Sequence, residues 1–355
     1  MDDKTDVAAL PGARERDLAI DMAKGCAILW VLLIHSDALH GNLFFRQVVN
    51  QAVPVFVVLF GLNSSIWWRH RVLPADLGAW YRRAVGRIML PVWAALPLWW
   101  AMVLYYRPFG VRLAWWLPIA HALGYLLHVG TGWFVTMIVQ LVVLFPAFEA
   151  ARRRVSVWPL LVVGFASSAV LAWNALWIVG YVGLFGFWVL GPRFFAHVTF
   201  GMLLAHHRER VGAWAAVLAA AALGGCVAAD LAQVGPPWKQ LLETAGGLPL
   251  TVLLLVGLRP LASVPLLAPS LAWLGRSSYG IYIGQLLTHN LFVYHFGLLG
   301  LPQRVDPWLY TLILLLGGLF FVWLGEQLLR VSASLRARTV VVRKALDTPR
   351  RHGGS

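Results

Sequence analysis

The stretch RERDLAIDMAKGCAILWVLLIH, residues 14–35, places ionisable side chains in a segment that otherwise suits lipid. Its last part contains Asp21, Lys24 and His35 among apolar residues. Charged groups within a membrane helix are costly unless they face a protein interior or a wet cavity, and they mark functional sites by default. This stretch therefore predicts both a membrane fold and a site of chemistry.

The composition of the whole chain is that of a membrane protein. Of its 355 residues, 60% are hydrophobic and 12% are charged, and the mean hydropathy is +0.72. In soluble domains about a quarter of the residues are charged. The 19 Trp residues suit a chain that places amphipathic rings at bilayer interfaces.

About ten stretches are long and apolar enough to cross a bilayer, which takes about 20 helical residues. We therefore predict an all-α fold, a polytopic transmembrane helical bundle of about ten spans with both termini cytoplasmic. It divides into a cytoplasmic segment 1–21, a transmembrane domain 22–335 and a basic tail 336–355. The interrupted apolar stretches 111–128 and 177–190 are predicted to be interfacial or re-entrant. The predicted spans are 22–40, 50–68, 86–105, 131–150, 157–176, 190–206, 212–229, 241–258, 270–294 and 307–329.

The net charge of +14 does not indicate a nucleic-acid partner. Such binding requires basic residues gathered on one face or in one domain, whereas here they are scattered between hydrophobic runs. The predicted topology places most of the 29 Lys and Arg residues on the cytoplasmic side, as the positive-inside rule requires. The basic residues predicted on the other side are Arg46, Arg107, Arg112, Arg193, Lys239 and Arg304.

The ionisable residues of the first helix lie on one face. Lys24 and His35 are eleven positions apart, which brings them within roughly 20° of each other and about 16 Å apart along the axis. Asp21 joins the same stripe. Two interpretations stay open for His35 and for Lys24: His35 either performs chemistry or only hydrogen-bonds a neighbouring helix, and Lys24 either pairs with Asp21 or binds an anion. The histidines that could approach His35 in space are His121, His128, His197 and His289.

Two further stretches carry polar residues at helical spacing. In WYRRAVGRIMLP, residues 80–91, Arg83 and Arg87 are four apart and so share a helix face. Two interpretations of these arginines stay open: they bind an anion, or they only orient the chain in the membrane. In LGRSSYGIYIGQLLTH, residues 274–289, Tyr279 and Tyr282 also share a face, either lining a channel or packing the bundle. No spacing of His, Cys and acidic residues predicts a metal site.

The chain resembles the acyltransferase family 3 membrane proteins in an ordered series of matches. In that family an Arg or Lys precedes a His by eleven positions on the first helix, and an Asp stands shortly before the basic residue. Here these are Lys24, His35 and Asp21, and the form ID-x-x-KG is similar to the fucose O-acetylase-like branch. In the late helix the family pattern often has His where Gln285 stands. The other matching stretches are PVFVVLFGLNSS at 54–65, WYRRAVGRIMLP at 80–91, GWFVTMIVQLVVLFPAFE at 132–149 and LGRSSYGIYIGQLLTH at 274–289.

This resemblance implies transfer of an acyl group, commonly acetyl, from cytoplasmic acyl-CoA to a hydroxyl of a saccharide or glycolipid acceptor. It implies a multi-pass protein of the bacterial inner membrane, in contact with membrane lipids and without a metal. Three forms of the active protein stay open: the chain alone, a homo-oligomer, or the chain with a soluble transfer partner. The implied catalytic residues are His35, as base or covalent acyl carrier, Asp21 and Lys24; the donor-binding residues are Arg83, Arg87 and Arg82; and the substrate-binding residues are Tyr279, Tyr282, Ser278 and Trp133.

The rival interpretation is a transporter or flippase of a polyprenyl-linked sugar, because such proteins also bury charged groups among many helices. A transporter usually shows two similar halves with helices broken at matching positions. This chain instead concentrates its polar residues in the first three helices and the late Tyr helix. A purely structural subunit would leave Asp21, Lys24 and His35 without a role, so we rank it last.

Overall fold

The computed structural model describes residues 17–36, 42–106, 117–126, 132–174, 190–233, 238–298 and 305–347, and positions 39, 178 and 235. Across these residues the elements are helices, with no strand, which confirms the predicted fold class. Short helical turns lie at Val49–Gln51, Gly191–Phe194, Arg208–Arg210 and Pro260–Ser263, and a π-helical turn at Val85–Met89. The α-helices are α1 Leu18–Ser36, α2 Leu43–Gln47, α3 Ala52–Trp68, α4 Leu77–Ala84, α5 Leu90–Tyr106, α6 Leu117–Ala122, α7 Trp133–Val155, α8 Val157–Trp173, α9 Phe195–His206, α10 Ala213–Leu231, α11 Trp238–Ala245, α12 Gly247–Gly257, α13 Leu267–Leu298 and α14 Pro307–Asp347.

Within the described ranges, six helical segments are long and apolar enough to cross a membrane. Each coincides with a predicted span: Leu18–Ser36, Leu43–Trp68, Leu77–Tyr105, Trp133–Val155, Ala213–Leu231 and Pro307–Leu328. Two more predicted spans are shorter apolar helices, Val157–Trp173 and Gly247–Ser263. The total of about ten crossings and the cytoplasmic location of the termini stay predictions.

Three predicted spans differ from the observed helices for local reasons. Span 241–258 is interrupted at Gly246, where α11 ends and α12 begins. Span 190–206 starts with a turn at Gly191 and Pro192, so its α-helix covers only 12 residues. Span 270–294 is the core of α13, a longer helix of 32 residues. Of the two interrupted stretches, 177–190 lies almost entirely outside the described residues, and the first contributes the short helix α6.

The terminal segments are described only in part. Residues 1–16 and 348–355 lie outside the described residues. Helix α1 begins at Leu18, because the Asp17 carboxylate accepts a hydrogen bond from the backbone N–H of Ala19 at 3.0 Å, as residues at a helix start commonly do. The last helix, α14, continues to Asp347 and so includes part of the predicted tail.

Helices α1 and α13 pack backbone against backbone. A Cβ atom at Gly25 would overlap the carbonyl oxygen of Leu271, and one at Gly275 would overlap that of Asp21. Glycine at both positions is what permits this approach. Because Gly275 lies against Asp21 and His289 lies beside His35, the two helices run parallel. We call their contact the α1–α13 seam.

Helix α14 returns along α13 in the opposite direction. Its Tyr310 reaches His289, while Gly317 lies against Thr288 and Gly318 against Ile281. The small residues again allow a close approach of the two helices. The end of the α1–α13 seam that carries His35 is therefore covered by the start of α14.

A buried carboxylate ties the ends of α3 and α7 together. Glu149 is 0% exposed and accepts hydrogen bonds from Arg152 at 2.7 and 2.8 Å and from Arg153 at 2.9 Å. Arg153 also donates to the backbone oxygens of Trp68 at 2.9 Å and Arg71 at 2.8 Å. Glu149 is therefore paired with two arginines rather than solvated.

Candidate active site

The first polar cluster lies at the N-terminal end of the α1–α13 seam. The Lys24 ammonium donates to the Asp21 carboxylate at 3.1 Å, and their side chains are only 17% and 11% exposed. Of the two interpretations left open for Lys24, the structure shows the pairing with Asp21. Arg276 of α13 approaches the other carboxylate oxygen at 4.0 Å. We call Asp21, Lys24 and Arg276 the charged foot; it sets one carboxylate against two cations.

The second polar cluster lies at the other end of the seam. Helix α1 ends at Ser36, four residues before the end of the predicted span, so His35 stands in its last turn. The ring of His35 lies beside the ring of His289, with centroids 5.6 Å apart and planes inclined by 46°. We call His35 and His289 the imidazole pair.

His289 is thus the predicted histidine candidate that does approach His35. The other described candidates have different surroundings. His121 packs 5.5 Å from the Trp100 ring, and the Nε2 atom of His197 lies 2.9 Å from the backbone oxygen of Thr244. His128 lies outside the described residues.

The start of α14 holds the imidazole pair from the far side. The Tyr310 hydroxyl lies 2.8 Å from Nδ1 of His289. The Thr311 hydroxyl donates to that of Ser36, the residue after His35, at 2.6 Å. Sequence reasoning missed both contacts, because they join positions far apart in the chain.

The charged foot and the imidazole pair are separate places on one seam. Lys24 and His35 share a helix face as predicted, but the eleven residues between them correspond to about 16 Å along the axis. Their side chains therefore do not act on the same atom. Any reactant that engages both must extend along the seam.

The predicted substrate-binding residues of α13 lie between these two clusters. Ser278 and Tyr282 are buried, and the rings of Tyr279 and Tyr282 lie 6.3 Å apart. The Tyr282 ring meets Phe134 edge-on at 5.2 Å, and Phe134 neighbours the ring of Trp133 at 6.4 Å. The structure thus brings the late Tyr helix and the predicted Trp-Phe helix together.

Gln285 is a polar residue of this region that the sequence analysis did not assign to the site. Its side chain is 0% exposed, and neither amide atom has a hydrogen-bond partner among the described residues. Leaving a buried polar group unpaired costs about 1–3 kcal/mol. The signal was available in the sequence, because Ser278, Tyr282, Gln285 and His289 repeat at spacings of four, three and four, which places them along one helix face.

The predicted donor-binding arginines lie elsewhere, on an exposed helical segment. Arg82 and Arg83 end α4, and Arg87 belongs to the π-helical turn Val85–Met89. All three are exposed, and Nε of Arg82 donates to the Gly78 oxygen at 3.3 Å. Turns of this kind occur frequently at functional sites. In the described ranges, no three His, Cys, Asp or Glu side chains come together as metal ligands would.

Comparison with known proteins identifies the family of the chain. No curated protein and no solved structure matches the chain significantly. The acyltransferase domain that defines acyltransferase family 3 matches residues 17–326, a range that begins just before the charged foot and includes the imidazole pair. The chain therefore belongs to acyltransferase family 3 and is a multi-pass membrane acyltransferase.

Proposed function

We propose that this enzyme transfers an acetyl group from cytoplasmic acetyl-CoA to a hydroxyl of a cell-surface saccharide or its glycolipid precursor. The observation that supports this most strongly is the imidazole pair, which places His35 beside a second imidazole at one end of a seam whose other end is cationic. Imidazole is the side chain best suited to proton transfer near neutral pH.

In the reaction that we propose, His35 acts as the base. It takes the proton of the acceptor hydroxyl while the acceptor oxygen bonds to the acyl carbon. The carbon–sulfur bond of the thioester then breaks, and the CoA sulfur leaves with the proton that His35 returns. A covalent variant, in which the His35 nitrogen first carries the acyl group, uses the same residue in the same place.

The phosphates of the donor require cations, and two groups are suited to them. Arg82, Arg83 and Arg87 lie exposed on one helical segment, and a guanidinium binds a phosphate through two parallel hydrogen bonds. Lys24 and Arg276 belong to the charged foot, where both contact the Asp21 carboxylate. We assign the arginines of the first group to the phosphates of CoA, and the charged foot to holding the start of the seam.

The acyl group then has to reach His35 along the α1–α13 seam. Ser278, Tyr279 and Tyr282 line the intervening part of α13, with Trp133 and Phe134 opposite. The buried amide of Gln285, which has no partner among the described residues, lies one helical turn before His289. We assign these polar groups to the acyl carbonyl or the acceptor hydroxyl, since a ligand there would supply the partner that the Tyr279 hydroxyl and the Gln285 amide lack among the described residues.

The acceptor class follows from the proposed location and from the resemblance to the fucose O-acetylase-like branch. The acceptor would approach His35 from the side of the membrane opposite the charged foot, where a surface polysaccharide or lipid-linked sugar is found in the bacterial inner membrane. A soluble transfer partner or a second copy of the chain is compatible with this route.

The test uses purified protein in lipid nanodiscs with acetyl-CoA and a panel of extracted surface glycans. We expect free CoA to appear in equal amount with acetyl ester on one glycan, as measured by thiol release and mass spectrometry. The rival transporter function is tested in proteoliposomes by movement of a lipid-linked sugar between leaflets. Lipid movement without CoA release would overturn the proposed activity.

A further inference from the structure

The first turn of α14 is fixed by its own residues, independently of its contacts with the candidate active site. Pro307 occupies the first helical position, where its missing N–H and its fixed φ cost nothing. The Asp306 carboxylate accepts hydrogen bonds from the backbone N–H groups of Trp308 and Leu309, both at 3.0 Å. The dipeptide Asp306–Pro307 therefore fixes where this helix starts and in which direction its next residues project.

Those next residues reach two different helices. Tyr310 contacts His289 on α13 at 2.8 Å. Its neighbour Thr311 contacts Ser36 on α1 at 2.6 Å, and the Ser36 hydroxyl donates to the Leu33 oxygen at 3.2 Å. Adjacent residues of α14 thus hold one helix at each of the two imidazoles.

From this geometry we propose that His289 is a positioning residue for His35, with Tyr310 fixing its ring and Thr311 fixing the end of α1. This inference rests on the proposed function only in the step that uses acyl transfer. The arrangement of the two rings is a separate claim and has its own test.

The contact with Tyr310 engages one ring nitrogen of His289. The Tyr310 hydroxyl lies at Nδ1, so the proton exchange with His35 that we propose uses Nε2 of His289, directly or through one water. In this step the Nδ1–H of neutral His289 donates to the Tyr310 oxygen and Nε2 is the acceptor. When His35 takes the acceptor proton, His289 receives it at Nε2 or shares it, and the same proton returns through His35 to the departing CoA sulfur. No other reactant is consumed, and the two rings end in their starting state.

Helix packing alone does not require these polar contacts. Helices α13 and α14 already approach closely through Gly284, Gly317 and Gly318. An apolar pair at positions 289 and 310 would hold the same helices together without desolvating an imidazole and a phenol. The Tyr310–His289 bond therefore points to a requirement on the orientation of the ring.

The spectroscopic arm of the test does not depend on turnover. Protein labelled with ¹⁵N-histidine reports, from the shifts of the two ring nitrogens, which of them carries hydrogen. We expect Tyr310→Phe to change the tautomer populations of one histidine, which His289→Gln identifies by removing its signal. Tyr105→Phe, at a 68% exposed position on α5, is the matched control and should leave the spectrum unchanged. An unchanged His289 signal in Tyr310→Phe would overturn the assignment of Tyr310.

The kinetic arm tests what the positioning contributes. We expect His289→Gln to lower kcat by about 100-fold and to move the pH profile of kcat, with the KM for acetyl-CoA unchanged, since misplacement of a catalytic group by about 1 Å costs about that much. Tyr310→Phe and Thr311→Val should each lower kcat by about tenfold. His70→Gln, on an exposed loop, is the control for the histidine change.

The outcomes separate this inference from the proposed function. A wild type without CoA release defeats the proposed function, while the tautomer measurement still decides whether Tyr310 orients His289. A kcat in His289→Gln equal to wild type defeats the proton exchange, even if the tautomer changes. Equal losses of folded protein and of activity, with an unmoved pH profile, would make His289 a packing residue only.

Discussion

The guanidinium of Arg276 lies 4.0 Å from the carboxylate of Asp21, which Lys24 also contacts at 3.1 Å. One acidic side chain on α1 thus faces a cation from its own helix and a cation from α13. This contact lies where Gly275 packs against the backbone of Asp21. The ion pairs of Asp21 and the close packing at Gly275 therefore occur at the same crossing of α1 and α13.

The first prediction concerns this carboxylate. Asp21→Asn leaves the mostly buried Lys24 beside the exposed Arg276 without the carboxylate that both contact, so we expect a loss of about 1 kcal/mol in stability and a lower Tm in detergent. The control is Glu326→Gln, which removes an exposed pair with Arg330 at 3.9 Å and should shift Tm little. Equal effects of the two changes would contradict a structural role for the charged foot.

The second prediction concerns the glycines of the seam. Gly25→Ala places a methyl group against the backbone oxygen of Leu271, and backbone cannot rotate away as a side chain can. We expect overpacking to cost about 1–3 kcal/mol or more, seen as less folded protein after extraction and a lower Tm. Gly224→Ala lies in α10 with nothing near the added atom and should be neutral or slightly stabilising, because Ala favours helix. A tolerated Gly25→Ala would argue against the close seam.

The third prediction concerns the buried acid of α7. Glu149→Gln leaves Arg152 and Arg153 without their shared carboxylate partner, so we expect a loss of about 2–3 kcal/mol, measured by thermal unfolding in detergent. Glu209→Gln, on the exposed turn after α9, provides a change of the same chemistry and should leave Tm unchanged. If Glu149→Gln unfolds at the temperature of the wild type, the buried pair does not hold the ends of α3 and α7.

The fourth prediction concerns the proposed donor site. We expect Arg83→Ala with Arg87→Ala to weaken acetyl-CoA binding by about tenfold or more, since charged hydrogen bonds to phosphate are lost. The remaining binding should depend less on salt, because fewer charges are left to be screened. Titration of nanodisc-bound protein with acetyl-CoA measures both effects. Arg330→Ala is the control, and unchanged affinity in the double variant would move the donor site away from α4.

The sequence predicted those features that depend on neighbouring positions. The spacing of Asp21 and Lys24 gave their pairing as one of two alternatives, and the apolar runs predicted the six long helices. The breaks at Gly246 and at Gly191–Pro192 shortened two predicted spans, because a mean over an apolar window does not register single residues that stop a helix. The sequence also contains no pattern that indicates the π-helical turn at Val85–Met89.

The partners across helices were beyond prediction from one sequence. His289 was one of several candidate histidines for His35, and only the packing of α13 against α1 selects it. Nothing in the sequence around Arg276 or Tyr310 indicated their contacts with Asp21 and His289, because each contact depends on how two helices cross. Gln285 was the avoidable omission, because its place in a repeat with Ser278, Tyr282 and His289 is visible in the sequence.

The measurement that tests the account most directly compares acetyl-CoA binding with acetyl transfer in His35→Ala, using one nanodisc preparation for both. We predict donor affinity equal to that of the wild type, with transfer reduced by about 10²–10⁴-fold, the usual contribution of a positioned base. Transfer at the wild-type rate in His35→Ala, with folded protein and bound donor, would contradict the role of His35 on which the proposed mechanism depends.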